Sequence, residues 1–160
     1  MSYTSIDLDP AIRSQVIGLL QARLFDVVDL FTQVKQAHWN VKGPSFIALH
    51  ELFDRVAEIV EEQGDEIAER IVALGGTALG SARAAAARSN LAEYPPDLSD
   101  GAAHVAALAE RMAGFGRDVR GDIDRAAAAG DAGTADLFTG VSREIDKQLW
   151  FIEAHGRASS

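Results

Sequence analysis

Four stretches of the chain repeat apolar residues every three or four positions, the spacing that gathers them on one face of an α-helix. The first stripe is Ile12, Val16, Leu19, Val27, Phe31 and Val34, broadened by Leu20 and Leu24. Asp9-Pro10 stands before it: a side chain that caps helix amides, then proline at the first helical position. A helix is therefore predicted from there to about His38. Asn40-Val41-Lys42-Gly43-Pro44 breaks it. The second helix is predicted to start near Pro44 and Ser45. Its stripe is Phe46, Leu49, Phe53, Val56, Val60, Ile67, Ile71 and Leu74, and Gly75-Gly76 ends it. The third carries Val105, Leu108, Met112, Phe115, Val119 and Ile123 and stops near Gly130. Gly114 and Gly116 weaken it by about 1 kcal/mol each against alanine. The fourth carries Leu137, Val141, Ile145, Leu149 and Ile152.

No strand-like alternation competes with this pattern. Residues 75–97 form a long connection, in which Ser81 to Ala87 suit a short helix and Tyr94-Pro95-Pro96 marks the end. The expectation is all-α: a ferritin-like four-helix bundle whose long crossover, with its short helix, joins helices two and three. At 160 residues it reads as a single domain, residues 1–160, with the bundle over about 10–155 and short termini.

Composition narrows the function. The net charge of −9 argues against a general nucleic-acid binder, which needs a basic surface to displace counterions, and suits a protein that gathers cations. The absence of cysteine excludes disulfides and thiolate metal sites. No apolar run is long enough for a membrane span. MSYTSIDLDP lacks the basic and apolar regions of a signal peptide, so a cytosolic setting is expected.

The polar side of the second helix carries candidate chemistry. His50 and Asp54 are four residues apart, and Asp65 and Glu69 repeat the spacing. All four fall in one stripe roughly 100° wide, turned away from the apolar stripe. Yet His50 and Asp65 lie about 22 Å apart along the axis, so one chain cannot close them on one metal ion. Two readings remain. The stripe, with Glu58 and Glu61, is a solvated acidic face. Or a second copy crosses it antiparallel, about a two-fold axis near Ile59 and Val60, so that 50 meets 69 and 54 meets 65. Ala57 and Ala68 are expected on that face, where small residues would let a helix approach, and His38 could add an imidazole. An intrachain carboxylate di-metal site needs inward Glu-x-x-His pairs, and the chain has none.

The run Lys35-Gln36-Ala37-His38-Trp39-Asn40-Val41-Lys42-Gly43, then Phe46, Leu49-His50-Glu51, Asp54, Asp65 and Ala68-Glu69-Arg70, resembles the Dps miniferritins. Leu74-Gly75-Gly76, Ala78-Leu79-Gly80, Tyr94-Pro95, Thr134-Ala135-Asp136, Asp146-Lys147 and Leu149-Trp150-Phe151-Ile152-Glu153 extend the likeness over roughly residues 10–155. The resemblance implies a hollow homo-dodecamer with ferroxidase sites at two-fold interfaces. His38, His50 and Asp54 would come from one subunit, and Asp65 and Glu69 from its partner. Fe(II) would be oxidised to Fe(III), with hydrogen peroxide as the usual oxidant, and stored as ferric mineral in the cytoplasm. Trp39 would take up stray oxidising equivalents or serve as an interface aromatic. Asp131 and Asp136 match the region of the acidic three-fold pores, where Asp122 could join them; Asp131 could equally be a helix N-cap, or serve both purposes. His104 and His155 have no place in the pattern and are expected on the surface. The family's DNA binding often uses a lysine-rich N-terminal tail. This chain has Asp7 and Asp9 there, no basic residue before Arg13, and only Arg157 near its end. Direct DNA binding is therefore doubtful. A nucleoid-associated structural protein stays as the alternative to an iron-oxidising, iron-storing enzyme.

Overall fold

Four long helices and one short one follow in order: α1 Pro10–Asn40, α2 Phe46–Ala73, α3 Ala82–Arg88, α4 Gly101–Ala129 and α5 Ala132–Glu153. The structure is a computed structural model and describes residues 3–156. Arg157, on which part of the charge argument drew, lies outside the described residues.

Local chemistry sets the helix ends. The Asp9 carboxylate accepts from the Ala11 amide at 2.7 Å, and proline follows at the first helical position. Asp100 caps α4 through the Ala102 and Ala103 amides. Gly130 closes α4 at φ +94°, a conformation that costs glycine nothing. Asp131 then caps α5 at once, its carboxylate taking the Thr134 amide at 3.0 Å. The chain thus reverses between α4 and α5 within two residues. α1 runs two residues past the predicted end, since its cap lies at Val41. Gly114 and Gly116 do not interrupt α4.

α1 packs chiefly on α2, and α4 chiefly on α5, with α1 against α4 between the pairs. The apolar stripes meet in one core. Leu20, Leu30, Phe53, Met112, Phe115 and Phe138 are fully buried, each worth about 1.5–3 kcal/mol over exposure. Phe46, predicted within the α2 stripe, is instead exposed together with Ile47. Ala57, predicted on the polar side of α2, is buried in the core.

The crossover from α2 to α4 is tied along α1. The Gln21 amide exchanges hydrogen bonds of 3.0 Å with both backbone groups of Leu79. Asp26 accepts from the Asn90 amide at 2.7 Å, and Gln33 donates to the Ala92 carbonyl at 3.1 Å. Three polar residues of α1 therefore hold a segment with little regular structure of its own.

Candidate metal centre

The short turn between α1 and α2 brings His38, in the last turn of α1, beside His50, in the second turn of α2. Their rings stack with centroids 3.8 Å apart and planes 20° from parallel. Each Nδ1–H donates to the other's backbone carbonyl: His38 to His50 at 2.8 Å, His50 to His38 at 2.9 Å. A carbonyl only accepts, so both Nδ1 atoms carry the hydrogen. In the neutral rings both Nε2 atoms then keep a lone pair. A fixed tautomer of this kind is how metal-binding histidines are oriented.

Asp54, one turn beyond His50, stands near His38. Its Oδ1 lies 3.8 Å from His38 Nε2 and accepts from Lys35 Nζ at 2.6 Å. The Lys35 hydrogen bond, with the charges of His38, Lys35 and His50 adding to it, holds the Asp54 carboxyl below its ordinary range. A divalent cation at Asp54 would meet a negative oxygen already covered by an ammonium. Nothing in the spacing pointed to Lys35; it follows from how α1 crosses α2. Lys35 also stands 6.0 Å over the Trp39 ring, which is 68% exposed.

Asp65 and Glu69 lie further along the same side of α2, both exposed to solvent, as are Glu58 and Glu61. Among the described residues, no three His, Asp or Glu side chains come together as a metal-holding group. The chain thus stacks His38 on His50 and sets Asp54 near His38 Nε2, short of a closed three-residue group, and leaves Asp65 and Glu69 apart from them. Beside Asp65 an apolar groove of about 390 Å³ runs between α1 and α2, lined by Val28, Phe31, Val60, Glu61 and Ala68.

The proposed pore carboxylates separate on burial. Asp122 is not on the subunit surface. It is 1% exposed, 3.3 Å from Arg23 Nε and 2.9 Å from Arg125 Nη1. Arg23 also reaches Asp26 at 3.3 Å and Asp118 at 3.0 Å. Burial pushes the carboxyls of Asp26 and Asp122 up, against the pull of Arg23. Asp131 is also turned inward. It takes two hydrogen bonds from Arg70 Nη2, at 2.9 and 3.1 Å, and one from the Thr134 hydroxyl. Burial opposes its ionisation, but the Thr134 hydrogen bonds and the Arg70 charge outweigh this and hold its carboxyl down. Asp136 alone of the three is exposed. Arg23 and Asp26 could have been read from the sequence as charges inside the α1 apolar stripe. The Arg70–Asp131 contact, 61 residues apart, could not.

His104 corrects another expectation. It is 1% exposed, not a surface residue, and its Nδ1 is 2.7 Å from the Tyr94 hydroxyl. His155 is exposed, as expected.

A ferritin-like domain profile matches residues 17–158. The chain is 48% identical over 157 residues to a DNA protection during starvation protein of Agrobacterium fabrum, covering 98% of this chain and 97% of that one. It is 35% identical over 154 residues to a protein of the same name from Mycolicibacterium smegmatis, covering 96% and 84%. Among solved structures, Dps of Mycobacterium smegmatis in its tetragonal form superposes with a TM-score of 0.93 at 34% identity, covering 99% of this chain and 96% of the other. An archaeal Dps homologue from Halobacterium salinarum gives 0.93 at 28%, covering 99% and 88%. The all-α bundle with its crossover is thus the ferritin-like fold, and the chain belongs to the Dps family.

Proposed function

We propose that this protein is an iron-storing miniferritin cage that oxidises Fe(II), preferentially with hydrogen peroxide, at sites shared by two subunits. The observation that carries the reading is the half-built centre. His38 stacks on His50 and approaches Asp54, with both Nε2 lone pairs available. Asp65 and Glu69 stand on the same side of α2 with no such partners among the described residues. A second copy laid antiparallel across α2 supplies each half with the other and makes two equal sites. The apolar groove beside Asp65 supports a protein surface there rather than a merely solvated one. Within the assembly, a homo-dodecamer by family, a lone subunit has no complete site.

The ligand types suit the substrate. Imidazole nitrogen and carboxylate oxygen bind Fe(II) without thiolate. Two Fe(II) ions give two electrons to one hydrogen peroxide, which with two protons becomes two waters, and hydroxyl radical is not released. Lys35 must leave Asp54 as the cation arrives. Asp136 is exposed near the start of α5, which supports it, of the three acidic candidates, as the one to meet iron entering the cage.

Protection of DNA is then chemical. A charge of −9 per chain disfavours coating a polyanion. A gel shift at low salt without divalent cation should leave DNA unretarded; retardation would restore the structural alternative.

The shared site has a direct test. His50→Ala and Asp65→Ala assemblies should each lose peroxide-driven iron oxidation by tenfold or more, by analogy with the roughly 10–100-fold cost of disturbing a metal site's supporting residues. Co-expressed in equal amounts, the two variants form mixed two-fold pairs with one intact and one doubly broken site. About a quarter of the wild-type rate should return, from isologous pairing alone. No recovery in the mixed cage would place both residues in one chain's site and sink the reading.

A further inference from the structure

The inner side of α2 holds a buried pair that the iron site does not use. Tyr94, from the end of the crossover, and His104, on α4, are 5% and 1% exposed. The phenol oxygen is 2.7 Å from His104 Nδ1, and the rings lie 15° from parallel with centroids 6.0 Å apart. Among the described residues the phenol has no other hydrogen-bond partner. Phe53 closes on His104 edge-on at 6.5 Å. Phe53 belongs to the turn of α2 whose outer side carries His50 and Asp54. The pair therefore sits about one helix width, roughly 10 Å with side chains, from the candidate metal centre.

The protons can be placed. A lone Tyr94 hydroxyl needs an acceptor, and Nδ1 is the one within reach, so Nδ1 carries the lone pair and Nε2 the hydrogen. Nε2 is buried and makes no hydrogen bond of full geometry. Burial, with the Leu98 carbonyl and Asp100 opposing, keeps the imidazole below its ordinary value, and burial also pushes the phenol up. Neither group ionises at neutral pH by itself. A phenol in this setting loses an electron readily only if its proton leaves at the same moment, and the short hydrogen bond to His104 is the path for that proton.

We propose that Tyr94 and His104 form a proton-coupled electron donor that quenches one-electron oxidants escaping the iron site. The oxidant is hydroxyl radical, made when a single Fe(II) meets peroxide. Tyr94 gives it one electron, so hydroxyl radical becomes hydroxide and Tyr94 becomes a neutral phenoxyl radical. The O–H bond breaks, and its proton forms an N–H bond on His104 Nδ1, giving imidazolium. The hole is held in the bundle, away from DNA. The proposal rests on the iron-site reading for its source of oxidant.

The chain has two tyrosines, Tyr3 and Tyr94, so assignment is direct. Rapid-freeze electron paramagnetic resonance on the assembled protein, given Fe(II) and hydrogen peroxide, should show a tyrosyl signal. It should persist in Tyr3→Phe and fall at least tenfold in Tyr94→Phe, with the assembly and melting temperature checked in parallel. A photogenerated ruthenium(III) oxidant, used without iron, should raise the same signal. In His104→Gln its rate of formation should drop at least tenfold and lose its solvent deuterium effect, which a purely structural histidine would not alter. A signal unchanged in Tyr94→Phe, or absent with the ruthenium oxidant, overturns the pair. A signal with ruthenium but none with iron and peroxide overturns its role as a quencher. Failure of the iron-site reading shows separately, as iron oxidation that His50→Ala leaves intact.

Discussion

The two sides of α2 are the same helix under opposite rules. On the inner side, Phe53, Val60 and Ile67 are fully buried against partners the chain itself supplies. On the outer side, His50, Asp54, Asp65 and Glu69 hold groups that bind metal, and the chain brings only the first two together with His38. The inner side is finished by folding. The outer side is unfinished, and Lys35 provisionally neutralises its one assembled carboxylate. The difference teaches that a side chain's job can be read from what remains unpaired after the fold has closed. On that view stability and iron chemistry should be separable on a single helix.

The largest effects test this separation. Phe53→Ala should cost about 3–5 kcal/mol, from lost burial plus the cavity left behind, read as a shift in the urea midpoint. Asp65→Ala, at an exposed position, should change stability by less than about 0.5 kcal/mol. It should nonetheless take with it most of the peroxide-driven iron oxidation. If Phe53→Ala left stability intact, or Asp65→Ala unfolded the chain, the two sides would not differ as argued.

Arg70 sits at the border, next to Glu69 but pointing to the start of α5. Removing it leaves the Asp131 carboxylate buried with only Thr134. Arg70→Ala should therefore cost about 2–3 kcal/mol at neutral pH, below the usual 3–5 for a buried pair because Arg70 is partly exposed. The pH dependence has a definite sign. Asp131 is held below its ordinary 3.8, so its contribution is present above that value and fades as pH falls through the lower folded value. The wild type should keep this part of its stability from pH 7 down toward 3.8 and lose it as the pH falls further. Asp131→Asn should show a flatter acid limb in the same denaturation series. An acid limb unchanged in Asp131→Asn would remove this carboxylate from the account.

Much of this was legible in the sequence because helix periodicity is local. The stripes predicted every long helix, and the Asp9-Pro10 and Gly130 ends came from chemistry within a few residues. The outer stripe was legible for the same reason. What was not legible depends on which helix meets which. Lys35 reaching Asp54 and Arg70 reaching Asp131 are contacts between elements, with no periodic trace. Ala57 was misplaced because its angle lies near the edge of the buried face, where neighbouring helices decide. His104 looked like a surface residue because a histidine among alanines carries no sign of a tyrosine ten positions earlier. Asp122 looked like a surface acid for want of Arg23, and Asp131, legible as a helix cap, gave no sign of its partner Arg70. In each case a charge or ring was visible, and its partner was hidden by distance along the chain.

The smallest effect probes the provisional state of the outer side. In Lys35→Met the methylene stem stays and the ammonium goes. Asp54 then loses the hydrogen bond and the charge that hold its carboxyl down, so that carboxyl should titrate higher than in the wild type. The folded core is untouched, since both groups are partly exposed. Two effects on a divalent cation compete. The variant removes a positive charge that the cation must displace, while the rise in the Asp54 carboxyl lowers its ionised share only in acid. At neutral pH the first effect dominates, and a unit charge about 4 Å from a divalent cation through water amounts to roughly thirtyfold in affinity, which salt screening cuts to roughly tenfold. Titration of the assembled protein with Fe(II) under anaerobic conditions should therefore show about tenfold tighter binding at pH 7. The advantage should shrink as the pH is lowered toward the carboxyl's own range. Weaker binding in Lys35→Met would mean that the ammonium orients Asp54 for the metal instead of standing in for it, and the outer side would then be finished before any cation arrives.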